Sequence, residues 1–169
     1  MNRSLQRKDG KAQIGNWQLA IGNPSRPRIS VRNLQRKIPL KAAALEKFAA
    51  KAVRCCLKRH KRKETELSRL RNVFVWLISD RRMSRLHRQF LGQMGPTDVL
   101  TFQHGEIFIC VETAKRHARA FGNSLLRELQ LYIVHGLLHL HGCDDRTQQR
   151  ARRMQRTQEK ILSDCSRDR

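Results

Sequence analysis

Two histidines four residues apart, His135 and His139, stand in the segment His-Gly-Leu-Leu-His-Leu-His-Gly-Cys-Asp-Asp that ends at Asp145. On a helix that spacing places both imidazoles on one face, where their nitrogens can converge on a single ion. Gly142 then lets the chain reverse, and Asp145, six positions after His139, can return a carboxylate to the same point. Only one such cluster exists, so the sequence predicts one Zn2+ held by His135, His139 and Asp145. His141 and Asp144 are rival third ligands, but His141 is two positions from His139 and projects off the shared face. Zinc proteases place a Glu directly after the first histidine as general base, and here that residue is Gly136. Peptide hydrolysis of that kind lacks its proton acceptor. Zinc still lowers the pKa of water to about 7, which yields a nucleophile without a dedicated base. Glu128, two turns before His135 on the same face, is a candidate for handling protons or bracing a ligand; on spacing alone a capping or surface role is equally open.

These side chains need a buried helix to hold them. Leu125, Leu126, Leu129, Leu131, Ile133, Val134, Leu137, Leu138 and Leu140 make that helix, with Ser124 as its N-cap, Glu128 in its first turns and Gly142 as its stop. Around it, strands and helices alternate. Residues 29–33 alternate apolar and polar like a half-buried strand, and Pro39 punctuates before a helix over 41–60 with Ala44, Leu45, Phe48, Ala52 and Cys56 on one face. Val73–Ile78, β-branched and aromatic, predicts a central strand. A basic helix over 81–91 follows, then strands over 99–102 and 106–111 around a Gln-His-Gly turn. A short helix over 113–121 ends at Gly122-Asn123, and a mostly polar helix covers 146–163. The class is therefore α/β or α+β: a small mixed sheet of about four strands covered by about five helices, with the metal site on a helix and the turn after it. Residues 29–169 read as one domain. Residues 1–28 read as a basic, disordered N-terminal extension, with three of the nine glycines, two of the four prolines and no sustained period.

Composition bounds the partners. The chain has 36 Lys and Arg against 14 Asp and Glu, a formal charge of +22. A polyanion, nucleic acid or ribonucleoprotein, suits that surface better than solvent alone. Six Phe, two Trp and one Tyr do not favour a broad base-stacking platform over phosphate contacts. Five cysteines, two of them adjacent and none in a Cys-x-x-Cys pair, indicate neither a disulfide framework nor a zinc ribbon and suit a reducing compartment. No apolar run approaches the roughly 18 residues that span a bilayer, so no membrane partner is expected. The first 45 residues carry a single acid, Asp9, as transit peptides do, but lack the serine content and the amphipathic stripe.

The run from His135 to Gly142, with Glu128-Leu129 seven residues before its first histidine, resembles the signature of the YbeY family of metal-dependent endoribonucleases. Pro96-Thr97-Asp98-Val99-Leu100-Thr101-Phe102 resembles that family's second motif, and Glu106-Ile107-Phe108-Ile109 the strand after it. Arg32–Pro39 resembles the family's opening, and the match runs over about residues 29–163 in the family's order. The resemblance implies a single-zinc enzyme that cuts single-stranded RNA. In the bacterial family this serves small-subunit ribosomal RNA maturation and ribosome quality control in the cytoplasm. The implied partners are RNA, ribosomal RNA and the small ribosomal subunit. Asp98 and Glu128 are expected to orient ligands or water, and nearby arginines to steady developing charge. Two positions depart from the family pattern. Asp145 stands where the family has a histidine, which adds a negative charge and weakens zinc as a Lewis acid. Leu91 stands where the family has an arginine, a role that Arg88 or Arg85 must then take. Leu91 favours the rival reading, a non-catalytic ribosome- or RNA-binding protein of the same fold.

Overall fold

Strand β1 (Arg28–Asn33) lies beside β2 (Asn72–Ile78), β2 beside β4 (Glu106–Cys110), and β3 (Val99–Phe102) forms the far edge. The first three run parallel, and β3 runs antiparallel to β4. The helices are α1 (Ala42–Lys58), α2 (Glu66–Arg69), α3 (Asp80–Leu91), α4 (Val111–Phe121), α5 (Leu125–Leu140) and α6 (Gln148–Arg167). The computed structural model describes residues 26–59 and 64–167. Nearly all of the expected N-terminal extension lies outside them.

The mixed four-stranded sheet and the α+β class match expectation. Six helices replace about five. The extra one, α2, is four residues long and held by a capping box between Thr65 and Ser68, too short to show a helical period. Val111 is β-branched and reads as strand, yet β4 stops at Cys110 and Val111 opens α4 with its side chain in the core. The last helix runs past residue 163 because Cys165, beyond that limit, is still buried.

Alternation assigns the two sheet faces. Val73, Val75 and Leu77 of β2 and Ile107 and Ile109 of β4 point to one side, into the core with α1 and α5. On α1 the buried stripe is Leu45, Phe48, Ala49, Ala52, Val53 and Cys56. Ala44 lies off that stripe and is exposed, contrary to expectation. Helix α5 packs against α1, α4, α6, β3 and β4, which is why its sequence is apolar nearly all round. Leu126 is exposed at its first turn, before the helix enters the core.

Phe74 and Trp76 of β2, Phe108 of β4 and Phe102 of β3 alternate onto the opposite face, where α3 lays Met83 against Ile78, Leu100 and Cys110. The rings form a row. Centroids are 5.9 Å apart for Phe74–Trp76 and 6.5 Å for Trp76–Phe108, then 5.7 Å for Phe108–Phe102 and 4.9 Å for Phe102–Phe90 in edge-to-face pairs. Strand β2 is central as expected, yet Phe74 remains 39% exposed. No helix among the described residues is long and apolar enough to cross a membrane.

Candidate metal centre

Helix α5 carries both histidines. The Ser124 hydroxyl accepts from the Arg127 N–H at 3.1 Å to start it, and Gly142, at φ +87°, ends it and turns the chain back. His135 and His139 open into a cleft of about 390 Å³ whose other walls include Val99, Thr101, Gln103, Asp145 and Arg146. The His135 and His139 Nε2 atoms lie 3.0 Å apart. Asp145 Oδ2 lies 3.7 Å from the first and 3.8 Å from the second. The circle through three atoms so spaced has a radius of about 2.0 Å, the length of a zinc–nitrogen or zinc–oxygen bond.

Hydrogen bonding on the far side of each ring decides what the near side offers. His135 Nδ1 donates to Gln158 Oε1 at 2.8 Å, and His139 Nδ1 donates to the Cys143 carbonyl oxygen at 3.2 Å. Both acceptors are oxygens, so the proton of each neutral ring resides on Nδ1. Burial, with the His135 ring beside it, holds the His139 imidazole below its usual pKa, and it is neutral at pH 7. With both rings in that tautomer, two Nε2 lone pairs and a carboxylate oxygen face one point with no donor among them. Such a group repels itself unless a cation occupies that point, and the residues present fit a metal ion.

The rivals are engaged elsewhere. His141 is buried with its Nδ1 3.2 Å from the Thr65 hydroxyl. Asp144 accepts from the Arg146 N–H at 2.8 Å and from Arg150 Nη1 at 2.6 Å. Gly136 has a packing reason: a Cβ there would meet Ile107 Cγ2 at 2.7 Å and Thr101 Oγ1 at 3.1 Å. A side chain there would force Ile107 to shift.

Residues 30–166 match the model of a family described as Endoribonuclease YbeY. The chain belongs to the YbeY family. A Thermotoga maritima protein of that name is 42% identical over 79 residues, 43% of this chain and 53% of the relative. A Frankia alni one is 32% identical over 114 residues, covering 56% and 63%, and a Thermus thermophilus one 37% over 105 residues, covering 55% and 76%. The chain thus spans from about half to three quarters of the length of these curated relatives. A solution structure from Thermotoga maritima superposes with a TM-score of 0.55 at 28% identity, over 80% of this chain and 90% of that one.

In this YbeY chain the fold brings His135, His139 and Asp145 together, whereas Glu128, Asp98 and Arg88 do not line the cleft. Glu128 is buried in the first turn of α5, its Oε1 accepting from Asn123 Nδ2 at 2.7 Å. Seven residues of helix, about 10 Å, separate it from His135. Asp98 Oδ1 accepts from the Val99 N–H at 2.8 Å and the Thr97 hydroxyl at 3.1 Å, which sets the start of β3. Arg88 shares a separate pocket of about 240 Å³ with Arg81 and Arg85, and Leu91 is exposed at the end of α3. Two residues beside the histidine pair carry no signal in the sequence. Gln158 lies on the polar helix α6 and carries no motif; only its burial marks it. Arg146 follows the metal turn and looks like any other arginine of a +22 chain.

A second close group, Asp80, Cys110 and Glu112, is already neutralised. Arg116 donates to both Asp80 oxygens at 2.7 and 3.1 Å, and Lys37 Nζ is 2.7 Å from Glu112. Burial pushes the Cys110 thiol up to about 11, so no thiolate is offered. It is an ion-pair knot joining α3 to α4.

Proposed function

We propose that this chain is an endoribonuclease that cleaves single-stranded RNA in small-subunit ribosomal RNA maturation and ribosome quality control in the cytoplasm, with one zinc ion held by His135, His139 and Asp145. The observation that carries the reading is the pair of Nε2 lone pairs 3.0 Å apart, each oriented by an oxygen on its far side. Zinc, when bound, supplies Lewis acidity: it acidifies water and draws charge from a phosphoryl group. The chain's own residues do the rest. Gln158 and the Cys143 carbonyl hold the imidazoles in one tautomer. Asp145 adds a negative charge that offsets part of the cation's. Arg146 is the cleft arginine that meets the substrate anion, and its weak tie to Asp144, 3.6 Å at Nε, leaves its side chain 88% exposed to do so. Arg88, with Arg85 and Arg81, makes no ion pair among the described residues and grips RNA backbone away from the reacting phosphate. Asp98 and Glu128 act by bracing β3 and α5. Gly136 supplies no proteolytic base at that position, and a side chain there would press on Ile107.

Purified protein should hold about one equivalent of zinc, and chelation should abolish cleavage of single-stranded RNA that zinc then restores. Zinc retained in full by His139→Ala refutes the site. A metal-loaded protein that binds RNA without cutting it supports the second reading, a non-catalytic ribosome- or RNA-binding protein, which the uncharged Leu91 favours.

A further inference from the structure

The sheet face opposite the core carries four of the chain's nine aromatic residues, Phe74, Trp76, Phe102 and Phe108, and Phe90 of α3 packs onto the last of the row at Phe102. Phe74 and Trp76 carry near-parallel rings, 16° between planes; Phe74 is exposed, and Trp76 is half-buried, packed against the cluster that includes Met83 of α3. The Trp76 ring is held in place: its indole N–H donates to Glu106 Oε1 at 3.0 Å, and Glu106 Oε2 is in turn 2.8 Å from His104 Nε2. Register puts Ser30 opposite Phe74 and Arg32 opposite Trp76, so Arg28, Ser30 and Arg32 of β1 share this face. Both arginines are exposed, and neither makes an ion pair among the described residues. Glu106, the acid on the same face, is engaged by Trp76 and His104.

Flat rings flanked by unneutralised arginines match one ligand chemistry, bases joined by phosphates. We propose that this face binds single-stranded RNA by stacking bases on Phe74 and Trp76, with Arg28 and Arg32 taking the phosphates. The aromatic row runs from β2 through β4 to β3, and the alternate side chains of β3, Val99 and Thr101, line the metal cleft. A strand laid along the row reaches the sheet edge where that cleft opens. The inference rests on RNA as the substrate of the metal centre, but its test reads binding and not cleavage. A duplex cannot use the platform, because its bases are already stacked on one another.

The experiment measures affinity for a fluorescently labelled single-stranded RNA and for an abasic strand of equal length. The unmodified chain should bind the base-bearing strand more tightly. Phe74→Ala should weaken it by about 5- to 150-fold for one stacked base and leave the abasic strand unchanged, while Phe74→Trp retains the preference. Arg28→Gln with Arg32→Gln should weaken both strands and flatten the salt dependence by about 1.4 in log–log slope for two phosphates. Equal affinity of the unmodified chain for both strands, or equal loss on Phe74→Ala, overturns the platform. His139→Ala should lose zinc and keep the base preference, which separates failure of this proposal from failure of the metal centre.

Discussion

Gln158→Met tests the metal centre through a residue that never touches the metal. Methionine has nearly the same length and volume and suits a helix, so α6 and its packing should survive. It removes the acceptor of the 2.8 Å bond that keeps the His135 proton on Nδ1. That bond is buried, with Gln158 only 7% exposed, so water cannot replace it cheaply. A neutral hydrogen bond contributes about 0.5–1.5 kcal/mol net, and about twice that when the ring carries charge from a bound cation. Losing it should weaken zinc binding by about 10- to 100-fold, the range for such supporting partners. Gln158→Glu should act in the opposite direction, because a carboxylate acceptor makes the imidazole a more basic ligand. A competition titration against a chromophoric zinc chelator reads both, and urea unfolding of the metal-free proteins checks that the fold is unchanged. Zinc affinity of Gln158→Met within twofold of the parent, with His139→Ala still zinc-free, would refute the claim that ring orientation limits the site.

Three further outcomes follow from the same geometry. Asp145→Ala should weaken zinc binding strongly, whereas Asp145→His, with one negative charge fewer at the metal, should keep zinc and move the pH–activity profile toward acid; a profile displaced toward alkali contradicts Asp145 as a ligand. Gly136→Ala should destabilise the fold by about 1–2 kcal/mol, overpacking against Ile107 exceeding the helix-propensity gain, and an unchanged urea midpoint would count against the close approach of α5 to the sheet. Asp80 is held below the usual carboxylate range, first by its hydrogen bonds to Arg116. A depressed carboxylate stabilises the fold above its unfolded value, about 3.9, and that contribution is lost as pH falls through the folded value. Asp80→Asn should therefore cost about 1 kcal/mol near neutrality, with the gap to the parent closing below about pH 4; a gap independent of pH is the contrary result.

Much of the site was legible because its signals are local. A four-residue spacing, a glycine stop and a carboxylate six positions on are all set by one helix and one turn, so the convergence of His135, His139 and Asp145 needed no knowledge of the rest of the chain. Gln158 was not legible, because it reaches His135 across 23 residues from a helix whose sequence is polar nearly throughout. The same limit explains the roles expected of Glu128 and Asp98. Both lie in recognisable motifs, yet Asn123 and the Val99 N–H claim their carboxylates before the cleft can. Counting aromatic residues argued against a stacking surface. Strand register then put four of them on one face, and register is a long-range property that composition does not contain.

Gly136 joins the two levels. As a sequence feature it is an absence, the missing base of a zinc protease. In the fold it is a requirement, since Ile107 and Thr101 occupy the space that any Cβ would need. The close approach that excludes a side chain also seats α5 on β3 and β4, which places Thr101 in the wall of the metal cleft. Packing of helix on sheet therefore bears on the proposed chemistry: a bulky proton acceptor after the first histidine would have to displace Ile107, and a metal held by His135, His139 and Asp145 would supply the acidity for a water nucleophile instead. Beside the proposed cation, Arg146 is the basic side chain that lines the cleft, and both would suit an anion. That combination favours a phosphodiester over a peptide for a physical reason independent of any family resemblance.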